Sequence, residues 1–257
     1  MPAPNFLTFA QLHRQSEPLL LPNAWDARSA ATSQASGYPA VGTSSAAIAS
    51  SLGYADGEQM PFGELLFVVK RICAATTLPV TVDVEAGYSR DVATICTHLA
   101  QLAELGVVGI NIEDSVVEDS RELVDAADFA RTLEQLKAYC VRQGLNLFLN
   151  ARTDTYLLGA KDALAQTQAR LSAYEAAGAD GIFVPCLTNL ADIEALCQQA
   201  RLPVNVMCMP DLADLAILAQ AGVKRVSTGN FPFEFVMKQY EQLSATIQQE
   251  RRFTALF

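Results

Sequence analysis

Short apolar stretches recur along the chain at Leu19–Leu21, Ala40–Ser45, Val80–Glu85, Val108–Glu113, Leu147–Arg152, Gly181–Pro185, Val204–Met207 and Arg225–Thr228. The segments between them follow a different period. Val92, Ile95, Cys96, Leu99, Leu102 and Ala103 form the i, i+3, i+4, i+7 stripe of an amphipathic helix. Leu212, Leu215, Ala216, Leu218 and Ala219 repeat that stripe. Gly37, Gly106, Gly144, Gly178 and Gly222 stand where such helices should end, since glycine accepts the left-handed conformation of a C-cap. Leu78-Pro79-Val80 and Leu202-Pro203-Val204 put proline at strand starts, where its missing N–H is tolerated. Eight strand–helix units in 257 residues predict a single α/β domain over residues 1–257, a (β/α)8 TIM-type barrel. A doubly wound open sheet fits less well, since no glycine-rich phosphate loop follows an early strand. Residues 231–257 read as a C-terminal helical extension with an apolar face, free to pack on its own barrel or on a neighbouring subunit.

Composition narrows the partners. Hydrophobic residues make up 51% and charged residues 18%, enough to bury a large core. The net charge of −10 argues against nucleic acid and anionic membranes, which need clustered Lys and Arg. No apolar run approaches the ~18 residues of a membrane span, and Met1–Phe6 lacks the basic flank of a secretory signal. Six scattered cysteines without a CxxC are expected to be reduced thiols of a cytoplasmic protein. With His13 and His98 the only histidines, a metal here would be held mainly by oxygen.

In a parallel barrel, chemistry gathers where strands end, and the acids of this chain fall there. Val80-Thr81-Val82-Asp83-Val84-Glu85 closes on Asp83 and Glu85, two residues apart and so on one face of a strand. Ile110-Asn111-Ile112-Glu113-Asp114 ends the next strand, and Asp56 lies in the loop after the second. Carboxylates crowded into one mouth repel each other and lose hydration, so either one keeps its proton or a cation binds. Oxygen donors alone suit magnesium, or manganese. Asp114 and Glu58 read instead as a helix cap or solvated loop acids. Arg152 ends an otherwise apolar strand, placed to grip a substrate carboxylate or to pair with a site acid. Ser44, Ser45 and Ala46 end the second strand with hydroxyls and N–H groups able to cradle a carboxylate or enolate oxygen. Trp25 and Asn205 are candidates to line the pocket, and His98 is expected at the surface.

Four blocks taken together resemble the isocitrate lyase / phosphoenolpyruvate mutase superfamily: Ser44-Ser45 with Ser51-Leu52-Gly53-Tyr54-Ala55-Asp56, Asp83-Val84-Glu85-Ala86-Gly87-Tyr88, Ile112-Glu113-Asp114, and Ala151-Arg152-Thr153-Asp154. The resemblance spans roughly Pro22 to Asn230. It implies a (β/α)8 barrel, magnesium, a small oxo- or hydroxy-acid substrate, and a homo-oligomer (dimer or tetramer) whose C-terminal helix is often exchanged between subunits. It also implies that Asp83 contacts the metal and that Asp56, Glu85 and Glu113 reach it directly or through water. Arg152 would hold the substrate carboxylate, and Ser44, Ser45 and Ala46 its carboxylate and enolate oxygens.

The chain also departs from the family. Its lyases carry a Lys-Lys-Cys-Gly-His loop and its phosphonomutases a Lys-Thr-Asn segment; here Asp114–Ser120 has no Cys, His or Lys, hence no cation in the loop. Glu85 stands where many members have Asp. The expected activity is a magnesium-dependent carbon–carbon lyase or decarboxylase acting on a small 2-oxo or 2-hydroxy dicarboxylate through a pyruvate-like enolate. Tyr88, Glu118 or a water would carry the proton. The alternatives are phosphonopyruvate hydrolysis or phosphoenolpyruvate mutation, and an oxo-acid-binding barrel without turnover.

Overall fold

A computed structural model describes residues 4–257. Its strands are β1 (Leu19–Leu21), β2 (Asn23–Ala24), β3 (Val41–Thr43), β4 (Val80–Asp83), β5 (Gly109–Glu113), β6 (Ser115–Val117), β7 (Arg121–Leu123), β8 (Phe148–Arg152), β9 (Gly181–Val184), β10 (Val204–Met207) and β11 (Arg225–Ser227). Its helices are α1 (Pro4–Leu12), α2 (Ala27–Ala35), α3 (Ser45–Ser51), α4 (Phe62–Ala75), α5 (Val92–Glu104), α6 (Ala126–Gln143), α7 (Ala163–Ala176), α8 (Leu190–Gln199), α9 (Leu215–Gln220) and α10 (Phe231–Glu250). A parallel sheet runs β1-β11-β10-β9-β8-β5-β4-β3-β2. Its two outermost strands are halves of one strand. Pro22 has no N–H to donate and interrupts the ladder. Leu19–Leu21 pair with β11, whereas Asn23 and Ala24 pair with β3. The sheet therefore closes into a (β/α)8 barrel, as the alternating pattern requires.

Side-chain alternation splits each strand between two cores. On β5, Ile110 and Ile112 point outward to the helices, while Asn111 and Glu113 lie in register with Asn150 and Arg152 of β8. Within the barrel, Asn150 donates to Asn111 (2.9 Å) and to Asn205 (3.2 Å). Room for this layer comes from Gly181, where a Cβ would stand 2.7 Å from the Asn150 side-chain oxygen. The N-terminal end is sealed by α1: Phe9 and Leu12 pack with Leu19, Leu21, Ala40, Val108 and Phe148. His13 stacks on Phe148, ring centroids 4.5 Å apart.

The helix stripe on α5 buries Ile95, Cys96, Leu99 and Leu102, as its period predicts. The second stripe is shortened: α9 begins at Leu215 and buries only Leu218, because Leu212 closes a turn on Met209 instead. The second strand ends at Thr43, since Ser44 becomes the N-cap of α3 and accepts from Ala47 N at 3.3 Å. The β6–β7 hairpin has no counterpart in the predicted pattern. His98 is half-buried, stacked on Phe62 at 3.7 Å, and not at the surface, because its Nδ1 lies 3.0 Å from the carbonyl oxygen of Gly87. All six thiols are free. Among the described residues no helix is long and apolar enough to cross a membrane.

Candidate active site

A cavity of about 430 Å³ opens at the C-terminal end of the strands, lined by Ser44, Ser45, Ala46, Asp56, Asp83, Glu85, Asn111, Glu113, Arg121 and Arg152 among others. A larger cavity, about 790 Å³, lies at the opposite end beside α1. The second has no cluster of carboxylates, so the chemistry belongs to the smaller one.

On one wall, β4 delivers Asp83. Its backbone N–H donates to Thr43 Oγ1 (3.0 Å), and its Oδ2 accepts from Ser45 Oγ (2.8 Å). Its Oδ1 is buried without a partner. Burial raises the Asp83 carboxyl above the ordinary range, against the opposing pull of Arg152. Glu85 reaches the same cavity by a different route than strand alternation, because the strand stops at Asp83 and Glu85 adopts φ +49°. Tyr88 is likewise left-handed, at φ +57°. A non-glycine residue held there costs about 1–3 kcal/mol and persists only where its surroundings over-determine it. Those surroundings are present: Glu58 N donates to Glu85 Oε2 (2.6 Å), Tyr88 OH donates to Glu85 Oε1 (3.0 Å), and Tyr88 N donates to Glu58 Oε1 (2.5 Å). Burial, with Asp56 and Asp83 as neighbouring like charges, pushes the Glu85 carboxyl up to about 7.

The other wall is an ion-pair network. Arg152 Nε and Nη2 donate to Asp154 (2.6 and 3.2 Å), and Nη1 stands 2.9 Å from Glu113 Oε2. Arg121 enters from β7. Its Nη1 contacts Glu113, Ser115 Oγ (3.1 Å) and Asp154 (3.4 Å), and its Nη2 pairs with Asp56 at 3.1 Å. Ser115 Oγ donates to Asp154 at 2.5 Å. Asp114 lies behind this wall, neither a cap nor solvated: it is fully buried and paired with Arg170 (2.8 Å), with Tyr174 OH donating to it at 2.6 Å. Glu58, expected to be a loop acid, anchors the Tyr88 turn and pairs with Arg90.

Asp56, Asp83, Glu85, Glu113, Arg152, Ser44, Ser45 and Ala46 therefore meet in one cavity. Four expected residues do not line it. Trp25 packs edge-on against Phe233 of α10, 5.5 Å between ring centroids, because its indole finds an apolar partner there. Asn205 is buried in the barrel interior, where its amide bonds to Val206 O and Arg225 O satisfy it. Tyr88 turns its hydroxyl onto Glu85, and burial followed by that carboxylate raises the phenol well above its ordinary range, which ill suits a proton carrier. Glu118 is exposed near the hairpin tip. The residue that sequence reasoning missed is Arg121: the loop does supply a cation, one position past Ser120, carried back to the cavity by the antiparallel pairing of Arg121 with Val117. Only its distance of eight residues from Glu113 hinted at this, and no periodicity marks it.

A divalent cation fits here on the chemistry of the donors. The Asp83 Oδ1 is a buried, unpartnered hard oxygen, and Asp56, Glu85 and Glu113 line the same cavity. Among the described residues no three acidic, His or Cys side chains converge into a ready cage. Magnesium tolerates this, since it commonly keeps several waters and takes only one or two carboxylates.

The fold and site together define a (β/α)8 barrel with an acid- and arginine-lined mouth. The phosphoenolpyruvate phosphomutase family model matches residues 9–248, and the chain belongs to that family, within the phosphoenolpyruvate mutase / isocitrate lyase superfamily. It is 37% identical to an uncharacterized protein of Mycobacterium tuberculosis strain H37Rv over 88% of this chain and 83% of that one. It is 29% identical to an oxaloacetate decarboxylase of Bradyrhizobium sp., covering 78% of this chain and 70% of that one. A crystal structure from Burkholderia cenocepacia J2315, described provisionally as a phosphonomutase, superposes with a TM-score of 0.89 at 39% identity, over 94% of this chain and 98% of that one. A phosphonopyruvate hydrolase crystallised with oxalate and magnesium shares the fold at a TM-score of 0.85 and 18% identity, over 97% and 89% of the two chains.

Proposed function

We propose that the protein is a magnesium-dependent lyase that breaks a carbon–carbon bond in a small 2-oxo or 2-hydroxy dicarboxylate, with oxaloacetate decarboxylation as the concrete case. The observation that carries this reading is an unpartnered oxygen on Asp83, in a cavity that Arg121 and Arg152 also line. Asp83 would hold the ion, with Asp56, Glu85 and Glu113 reaching it through water. Magnesium, when bound, supplies the fixed positive charge opposite which an enolate oxygen develops.

The chain's own residues do the remaining work. Ser45 fixes the Asp83 carboxylate through a 2.8 Å hydrogen bond. The first-turn N–H groups of α3 at Ser45 and Ala46 have no acceptor within their helix and border the cavity, where they meet the substrate's carboxylate and the developing oxyanion. Arg152, clamped by Asp154 and Glu113, holds a fixed positive charge beside the carboxylate next to the oxo group. In oxaloacetate the C3–C4 bond breaks, carbon dioxide leaves, and the electron pair moves onto the C2 carbonyl as the enolate. Water then protonates C3 to give pyruvate.

Likeness to a phosphonomutase-type structure, together with Arg121 in the mouth, favours phosphonopyruvate as the second substrate to try. The test is pyruvate release, with magnesium and then with chelator, from oxaloacetate, malate-type hydroxy acids, methylisocitrate and phosphonopyruvate. Chelator-sensitive turnover of a carbon dicarboxylate that disappears in Asp83→Ala supports the lyase. Turnover of phosphonopyruvate alone replaces it with the phosphonate reading. Oxalate binding without any turnover leaves an oxo-acid-binding barrel.

We also propose a homo-oligomer in which α10 rests on a neighbouring subunit. Along its 20 residues only Phe233 is buried, while Phe235, Val236 and Tyr240 are exposed, more apolar surface than a free helix ordinarily shows to water. Light scattering of the intact chain and of Phe235→Glu/Tyr240→Glu tests this: a monomer in both sinks it.

A further inference from the structure

The two arginines of the cavity are held in different ways. Arg152 has its Nε and Nη2 engaged by Asp154, whose side chain is 0% exposed, and its Nη1 faces Glu113. Pulling Asp154 away would strand a buried charge, a strongly unfavourable change. Arg121 has one anchored corner and one exchangeable corner. Its Nη1 contacts Glu113, Ser115 and Asp154. Its Nη2 pairs with Asp56, whose side chain is 49% exposed. Such an exposed pair is weak, since water replaces the partner almost as well. An incoming carboxylate can therefore take the place of Asp56 on Arg121 while Nη1 stays anchored. Released, Asp56 stays solvated at the rim.

Position agrees with this role. Arg121 sits on the hairpin that follows β5, whereas Arg152 sits on the barrel strand itself. Arg121, Asp83 and the Ser45 and Ala46 end of α3 line the same cavity. A molecule whose oxo-acid end rests against Asp83 and the α3 N–H groups would direct its far end to the hairpin.

We propose that Arg121 is the specificity-determining residue of this site: its Nη2 corner takes the distal carboxylate of the substrate in exchange for Asp56, so that the site selects four-carbon dicarboxylates over oxo or hydroxy monocarboxylates. This rests on the reading of the cavity as an oxo-acid site. The contact is to a carboxylate that is already charged before reaction. Its loss therefore reads in KM more than in kcat, and for a decarboxylation, where that carboxylate departs as carbon dioxide, the contact gives no help in the transition state.

The test is calorimetric binding of malate, of 2-hydroxybutyrate and of oxalate to the intact protein with magnesium, in the wild type and in Arg121→Gln and Arg121→Lys. A charge-assisted pair of this kind corresponds to about 10- to 100-fold in affinity. The expected result is tighter malate than 2-hydroxybutyrate binding in the wild type, with the preference lost in Arg121→Gln, partly kept in Arg121→Lys, and oxalate affinity within about threefold throughout. In turnover, KM for a dicarboxylate should rise at least about tenfold in Arg121→Gln with a smaller change in kcat. Malate affinity unchanged in Arg121→Gln, with oxalate still bound, overturns the proposal. So does equal loss of oxalate and malate in both variants, which would make Arg121 a positioning residue for Glu113. A folded wild type that binds none of the three refutes the oxo-acid site itself, a separate failure that takes this proposal with it.

Discussion

A single strand shows how differently the two ends of the barrel are made. Along β8 the inward residues are Phe148, Asn150 and Arg152: apolar, neutral polar, then charged. At the start of the strand, Phe148 joins Phe9 and Leu21 under α1, and His13 is held neutral, its pKa lowered to about 3 first by burial and then by the charge of Arg225. At the far end, Arg152 meets Glu113 and Asp154, and carboxyl groups are pushed upward by their own burial and by one another. The same period-two alternation positions both. What separates them is which residue type occupies the inward place, and burial then acts on each with opposite sign. It drives a histidine to its neutral form by lowering its pKa and a carboxylic acid to its neutral form by raising it. The floor is closed by aromatic packing around a neutral histidine; the site gathers carboxylates and arginines around one cavity.

The strongest way to break this comparison is Asp83→Ala. Metal-dependent turnover should fall on the order of 10³-fold or more, while the metal-free protein should unfold at the same or higher urea concentration, because a buried carboxylate has been removed. A clear loss of stability would show Asp83 to be structural. Next comes Asp114→Ala, which leaves Arg170 buried and unpaired and should lower the unfolding free energy by about 3 kcal/mol. Urea titration reads this, and no change would mean that water replaces the pair.

Smaller effects come from pH. Glu85 titrates near 7 when folded and at 4.5 ordinarily, so between those values the folded state holds a proton that the unfolded chain has lost. The metal-free protein should thus lose stability as pH rises from about 4.5 to 7, and Glu85→Gln should flatten that slope. His13 acts at the other end and in the other direction. Its folded value of about 3 lies below the ordinary 6.5, so the unfolded chain takes up the proton first and stability declines as pH falls from 6.5. Urea midpoints of His13→Phe should lack this acid-side decline. If both variants kept the wild-type pH profile, the opposition between the ends would not hold.

Repeating hydrophobic pattern was enough to read the barrel, the α5 stripe, and the acids and serines of the mouth. These depend on local periods of 2 and 3.6 residues, which the chain displays directly. Even Glu85 was found by the right count for a reason that does not hold, since its left-handed backbone and the grip of Glu58 N and Tyr88 OH aim it inward. Arg121 escaped because its meaning lies in Asp56, 65 residues away, and in a hairpin whose pairing has no apolar alternation. Asp114 escaped because Arg170 and Tyr174, which bury it, lie on α7, 56 and 60 residues away.

The sequence by itself determined the number and order of strand–helix units, which residues face inward, and the family to which they correspond. Each of those follows from residue type and short-range spacing. Tertiary structure alone decided which charges meet, which of two arginines is locked and which can exchange, that Trp25 packs on Phe233, and that one oxygen of Asp83 is left without a partner. The physical reason is that pairing energies and burial depend on distances between residues far apart in the chain, and no local period encodes them.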